Sequence, residues 1–526
     1  MNLVVLISIL PIICGPVFSA AEKLVTSKPE SVVGDKFPDD FLFGAATSAY
    51  QIEGAWNVSN RGKSIWDQWS HEKPSVVTDG TNGDVAANSY YLYKTDVDLV
   101  KQLGANSYRV SLSWSRILPT GFDNYVNEDG IRYYNDLFDE MLKKNITPFV
   151  TIYHWDLPLN LEDLGGWANP SIVDWFVNYA RVVFNAFGAK VKLWGTYNEP
   201  MFICYYTYNG AWARKNPIYK TKAGINDYLC GHHALLAHAK TYQLYKENFR
   251  ATQKGEISII VAPFSTIPRN PNDPEDVEAN NFYLQFRNDW FLHPIFSKEG
   301  DYPQAMKDAI ANHSAIQGFP RSRLPEFTRE EIELIKNSAD FLVINYYTIV
   351  TITKLKNLDI KKTVSFDADV GARHYFTVPE TSVLEYENEC TINYCQPWGL
   401  SLTVHRITRK YDIPKIVIGE NGYMDYHNLA GLNDIDRAEY HYYHLKELLK
   451  LIKEGINIKG YYVWSLIDLF EFSRGYTCNY GIYAVNFTDP NRTRTAKMWS
   501  TKLLKKIYTT KSIPSSFPNF VNENKH

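Results

Sequence analysis

Ile257-Ser258-Ile259-Ile260-Val261-Ala262 holds a single polar side chain in six positions. A strand with one face in water alternates apolar and polar residues. This run does not, so both of its faces are expected to be buried, as in a parallel sheet covered by helices. Phe341-Leu342-Val343-Ile344 has the same character. Working outward from these two, one pattern recurs from residue 40 onward: a short apolar, β-branched or aromatic run, a polar loop, then a helical stretch. Eight runs fit it, at Phe41–Gln51, Ser107–Trp114, Pro148–Trp155, Lys192–Tyr197, Ile257–Phe264, Asp340–Tyr347, Lys415–Gly419 and Gly460–Leu466. Helical stretches between them include Asp96–Leu103, Ile172–Phe187 and Arg437–Glu454, the last stopped by Gly455. Alternation of this kind argues α/β with a parallel sheet. Eight units point to a closed (β/α)8 TIM barrel with long βα loops; an open doubly wound sheet is the rival architecture. The longest intervals, residues 265–339 and 348–414, read as elaborated loops roofing one end. No Pro-, Gly- or Ser-rich linker divides residues 21–526, which are expected to form one catalytic domain.

The bulk numbers narrow the function. The chain is 45% hydrophobic, 21% charged and 15% aromatic, with 13 Trp and 37 Tyr. Flat rings suit the C–H faces of sugars, although an aromatic excess is also ordinary core. A net charge of −3 implies no broad basic surface for nucleic acid. There is no Gly-rich phosphate loop and no His/Cys set at metal-ligand spacing, so neither cofactor nor metal is expected. Leu3–Val17 is almost wholly apolar and is followed by Ser19, Ala20 and Ala21. Residues 1–20 therefore read as a secretory signal peptide and the protein as secreted, without a membrane anchor. Five cysteines follow it: Cys204, Cys230, Cys390, Cys395 and Cys478. Cys390 and Cys395 are spaced for a small disulfide loop, and an odd thiol must be left over. Glycosylation sequons occur at Asn57, Asn145, Asn312, Asn486 and Asn491, with Pro148 speaking against the second.

In such barrels the chemistry sits at the C-terminal ends of the strands. The fourth run leads into Thr196-Tyr-Asn-Glu-Pro200 and the seventh into Ile418-Gly-Glu-Asn-Gly422. Each places a glutamate beside an asparagine at the exit of a buried strand, where a carboxylate is costly without a partner or a task. Two facing carboxylates are what glycoside hydrolysis requires. At about 5–5.5 Å apart, one attacks the anomeric carbon while the other protonates the leaving oxygen. The roles demand unlike proton affinities. The expected ligand is a small glycoside or oligosaccharide.

From about residue 37 to residue 510 the chain resembles glycoside hydrolase family 1, the β-glucosidase family. The resemblance is carried by Phe43-Gly-Ala-Ala-Thr-Ser-Ala-Tyr-Gln-Ile-Glu-Gly54, Tyr108-Arg-Val-Ser-Leu-Ser-Trp-Ser-Arg-Ile-Leu-Pro119, Tyr153-His-Trp-Asp-Leu-Pro158, Asn198-Glu-Pro200, Asn345-Tyr-Tyr347, Glu420-Asn-Gly422 and Trp464-Ser-Leu-Ile-Asp-Leu-Phe-Glu471. It implies a retaining β-glycosidase with Glu199 as acid/base and Glu420 as nucleophile. It implies that Asn198 bonds the sugar 2-hydroxyl, that Arg109 and Tyr347 contact Glu420, and that Asn345 supports the site. Gln51, His154, Trp155 and Glu471 would hold the hydroxyls of the nonreducing sugar, and Trp464 would be its stacking floor.

The match has departures. The family usually reads Glu-Trp where this chain has Glu471-Phe472, and Phe cannot donate an indole N–H. Leu469 stands where Asn is usual, and Tyr480, preceded by Asn479, where Phe preceded by Arg is usual. Gly419 replaces a small hydroxyl residue, and Val343 replaces a Gly. The Glu-Phe pair resembles plant thioglucosidases, the myrosinases. Those enzymes carry Gln at the acid/base position, however, whereas this chain keeps Glu199. Cleavage of S-glycosides is thus an alternative substrate class. A non-catalytic sugar-binding protein would be expected to lack one of the two glutamates.

Overall fold

The computed structural model describes residues 36–208, 222–376 and 395–525. The expected signal peptide lies outside them, as does Cys390. Eight strands form a closed barrel: β1 (Leu42–Ala46), β2 (Ser107–Ser111), β3 (Thr147–Tyr153), β4 (Leu193–Asn198), β5 (Glu256–Val261), β6 (Leu342–Asn345), β7 (Ile416–Asn421) and β8 (Ile458–Trp464). Every neighbouring pair is parallel. The seam is β1 on β8, in register from Leu42 opposite Gly460 to Ala46 opposite Trp464. The structure is the closed barrel and not the open sheet. All residues of β2, β6 and β7 are buried, which is why their sequences do not alternate.

Helices cover the outside. Among them are α1 (Ser89–Gln102), α2 (Glu128–Lys143), α3 (Ile172–Phe187), α4 (Asn226–Asn248), α5 (Trp398–Lys410), α6 (Ile435–Lys453) and α7 (Met498–Thr510). In α3, Ile172, Val173, Phe176, Tyr179, Ala180, Val183, Phe184 and Phe187 are buried, a stripe at three- and four-residue spacing that faces the barrel. The first expected strand run is too long. β1 stops at Ala46, and Ala49–Ile52 forms a helical turn whose first amide donates to Ser111 Oγ at 2.7 Å.

Two features set up the site end. Between β5 and α5, Ser265–Pro268, Ile349–Lys354 and Ala372–Tyr375 pair into a three-stranded sheet beside the barrel mouth. After β4, Cys204 is disulfide-bonded to Cys230 of α4. That long-range pairing was not expected. Cys395 is also disulfide-bonded, and Cys478 is a buried free thiol. Among the described residues no helix is long and apolar enough to cross a membrane.

Candidate active site

The ladders between strands slip where the two glutamates sit. The β4–β5 register shifts between Gly195 and Asn198, and β7 shifts against both β6 and β8 after Ile418. Such irregularities let a strand end turn its side chains inward. Glu199 follows directly in a left-handed conformation, φ 47° and ψ 60°, and Pro200 starts a short helix behind it. Trp155 and Phe472 also have positive φ, at 71° and 43°. Left-handed backbone at non-glycine residues is uncommon and costs energy, and here three such residues gather in one place: Trp155 meets the Phe472 ring at 5.0 Å and donates to the carbonyl of Asn198, next to Glu199.

Arg109 on β2 organises the floor. Its guanidinium donates to Glu420 Oε1 at 2.7 Å, to the Gly419 carbonyl at 3.0 Å, to Asn198 Oδ1 at 2.7 Å and to Thr151 Oγ1 at 3.0 Å. The Tyr347 hydroxyl donates to Glu420 Oε2 at 2.6 Å. Both oxygens of Glu420 are therefore held by donors, one of them cationic. Glu199 differs: Asn345 Nδ2 donates to its Oε1 at 2.6 Å and also to Asn198 Oδ1 at 3.2 Å. Behind Glu420, Asn421 donates to the Tyr346 carbonyl and the Tyr440 hydroxyl, and accepts from Tyr461. Gly422 passes so close to the Trp464 carbonyl that no side chain fits there.

These surroundings separate the two carboxyls. Burial and the nearby negative charge of Glu420 push the Glu199 carboxyl up to about 8, against only an amide partner and more distant cations. Burial raises Glu420 too, but Arg109 and the Tyr347 hydroxyl work against that shift and favour its ionised form. The proton shared by this pair belongs on Glu199.

The remaining expected residues form the pocket wall. Gln51 is wholly buried. It donates to the Phe470 carbonyl at 2.9 Å and to Glu471 Oε2 at 3.1 Å, and accepts from Ser48 at 2.6 Å. Burial pushes the Glu471 carboxyl up to about 7. Burial, with Arg109 nearby, holds His154 well below its usual value, so its imidazole is neutral; Nδ1 has no partner in the structure and Nε2 lies 3.3 Å from Asn198 Nδ2. The His154 ring is nearly parallel to Trp464, centroids 5.8 Å apart. The Trp155 indole N–H already donates to the Asn198 carbonyl at 2.8 Å. It is not free for a sugar hydroxyl, and what Trp155 offers is its ring. Phe472 is packed among Trp66, Trp155 and His154. Tyr480 meets Tyr347 edge-on at 5.9 Å.

The outer mouth was not anticipated from sequence. Phe202 stacks on Trp155 at 6.2 Å and on Tyr206 at 5.6 Å, and Phe264 meets Phe202 edge-on. Arg287 lies over the Phe264 and Phe202 rings. These side chains come from short helical turns and from the exit of the fifth strand run, where neither periodicity nor motif marks a site. The sequons fall at exposed positions: Asn57, Asn145, Asn312, Asn486 and Asn491 are all on the surface.

Barrel and pocket together define a glycoside hydrolase, and similarity to known proteins agrees. The model of the family described as "Glycosyl hydrolase family 1" matches residues 33–513. The chain is 41% identical to Myrosinase 1 of Brevicoryne brassicae over 463 residues, covering 88% of this chain and 96% of that protein. It is 39% identical to the cytosolic beta-glucosidase of Homo sapiens, covering 87% and 95%. The solved structure of an aphid myrosinase superposes with a TM-score of 0.82 at 40% identity, covering 91% of this chain and all of that one. The chain belongs to glycosyl hydrolase family 1.

Proposed function

We propose that the protein hydrolyses terminal β-D-glucosides by double displacement, with Glu420 as nucleophile and Glu199 as acid/base. The unequal surroundings of the two carboxyls carry the reading: Glu420 held by Arg109 and Tyr347, Glu199 by an amide alone. Glu420 attacks the anomeric carbon while Glu199 gives its proton to the glycosidic oxygen, and the aglycone leaves. Glu199, now ionised, takes a proton from water, whose oxygen displaces Glu420 and releases the sugar with retained configuration. Asn198 bonds the 2-hydroxyl on this reading, where contacts strengthen in the transition state. Gln51, His154 and Glu471 hold the outer hydroxyls, and the rings of Trp464 and Trp155 pack on the sugar. The N-terminal apolar run and the exposed sequons at Asn57, Asn312, Asn486 and Asn491 support a secreted glycoprotein.

A second substrate class, S-glycosides, is favoured by one feature. Phe472 removes a donor from the pocket edge, and a similar protein and a similar solved structure are each named as a myrosinase. The decisive measurement is sugar release from aryl O-glucosides and a glucosinolate by wild type and Glu420→Gln. The variant should lose turnover by orders of magnitude while keeping its near-ultraviolet circular dichroism. An unchanged rate would refute the mechanism. Release from O-glucosides but not from the glucosinolate would eliminate the S-glycoside reading alone.

A further inference from the structure

Arg287 is 6% exposed, yet no carboxylate among the described residues lies within ion-pair distance of it. It sits in a π-helical turn, Leu284–Asn288, between the helices Pro274–Tyr283 and Asp289–Phe296. Turns of this kind recur where a helix re-aims a side chain at a functional site. Among the described residues its one hydrogen bond runs from Nη1 to the Ala262 carbonyl at 3.3 Å. A guanidinium has five N–H donors, so most of its capacity is unspent. The other buried arginines among the described residues are treated differently: Arg61 is paired with Asp67, Arg109 with Glu420, Arg116 with Glu53, Arg323 with Asp369 and Arg437 with Asp434.

The aromatic faces offset part of the burial. The Phe264 centroid is 3.5 Å from the guanidinium carbon and the Phe202 centroid 5.2 Å. Cation–π attraction of this kind repays only part of the cost of stripping water from a charge. Burial accordingly weakens the hold of Arg287 on its proton. Phe202 is three residues beyond Glu199, and the fields of Arg287 and Glu199 reach one another. The cation therefore lies near the acid/base candidate Glu199, walled by the flat rings of Phe202 and Phe264.

We propose that Arg287, between Phe202 and Phe264 at the mouth of the pocket, is an anion-binding subsite for an aglycone that bears an oxyanion, a carboxylate or a sulfate. This rests on the glycosidase reading above and specifies its leaving group. A planar fork suits two oxygens of either anion, and the flanking rings suit the flat body that carries it. Because the contact is to the departing half, it would improve binding of the aglycone without altering the sugar pocket.

The test has a binding arm and a turnover arm. In the first, calorimetry measures 4-hydroxyphenylacetate, its neutral amide and 4-hydroxyphenyl sulfate against wild type, Arg287→Gln and Arg287→Lys. The anions should bind wild type about 10- to 100-fold more tightly than the amide, as a hydrogen bond to a charged group allows. Arg287→Gln should abolish the difference and Arg287→Lys keep part of it, with thermal unfolding showing that both variants are folded. Comparing the two anions shows which oxyanion the subsite prefers. In the second arm, the β-glucosides of the acid and of the amide are assayed. Arg287→Gln should lower kcat/KM for the acid about tenfold or more beyond whatever change it makes on the amide glucoside. Equal binding of acid, sulfate and amide by wild type, or equal losses on both glucosides in Arg287→Gln, would overturn the subsite. Failure of wild type to cleave either glucoside, with the anion preference in binding intact, would refute the glycosidase reading and leave the subsite standing.

Discussion

Single side chains set the proton inventory of the site. On the proposed mechanism Glu199 must carry a proton to act as the acid, and its carboxyl is pushed up to about 8. kcat/KM should therefore hold through neutral pH and fall as pH rises through about 8, where the free enzyme loses that proton. On the same proposal the acidic limb belongs to Glu420, which must be ionised to attack. Burial raises it, and the Tyr347 hydroxyl, 2.6 Å from Oε2, pulls it back. Tyr347→Phe removes that donor and leaves Arg109 in place. The sign is fixed: losing a bond to the charged form raises the carboxyl, so the acidic limb should move to higher pH while the alkaline limb stays near its wild-type position. A pH–rate profile of both enzymes on one aryl glucoside checks this. An acidic limb that moves down or not at all would show that Tyr347 does not stabilise the ionised carboxylate.

Between elements, the pair of departures at Gly419 and Val343 becomes intelligible. They face each other across the β6–β7 ladder. A Cβ on Gly419 would overlap Val343 Cγ1 and come within 2.9 Å of Asn345 Oδ1. Volume taken by one strand is thus given up by the other. Gly419→Ala should cost about 1–3 kcal/mol by overpacking, and Val343→Ala in the same chain should restore much of it. Denaturant unfolding of both single variants and the double variant measures the coupling. Additive losses would mean that the two positions do not share the space.

The same scale shows what the sequence could and could not reveal. The eight barrel strands were legible because Ile257–Val261 and its counterparts are buried on both faces and lack alternation. The end of the first was not, because Ala49–Ile52 is as apolar as a strand and spacing cannot separate a buried turn from an extended run. Glu199 and Glu420 were legible as carboxylates at strand exits. Arg287 was not, since its surroundings are assembled from Phe202, Phe264 and a π-helical turn far apart in sequence. The pairing of Cys204 with Cys230 was hidden for the same reason: cysteine spacing says nothing of which distant helix passes by.

Across the whole molecule, burial of ionisable groups should shape stability as well as catalysis. Asp156 is wholly buried, neither of its oxygens is hydrogen-bonded to another of the described residues, and burial pushes its carboxyl up to about 8. Burial likewise lifts Glu162, Asp227 and Glu471 to about 7. An acid that holds its proton longer when folded contributes stability that is complete below its unfolded value and is lost as pH rises through its folded value. Buried histidines act in the opposite direction. His154, His238, His441 and His444 are held low by burial, so they oppose folding only where an unfolded imidazole would be charged, below about 6.5. Above that range the histidines are neutral in both states and these carboxyls act alone among the two sets. Tm should therefore fall steadily between about pH 6.5 and 8.5. Asp156→Asn removes the carboxyl with the largest lift of the four. It buries an amide whose cost is the same at every pH, so its starting Tm is free to differ. What must change is the slope: the decline across that window should be shallower than in wild type. Calorimetric scans at half-unit pH steps would show this, and parallel Tm curves for the two proteins would mean that Asp156 is ionised and partnered in the folded state.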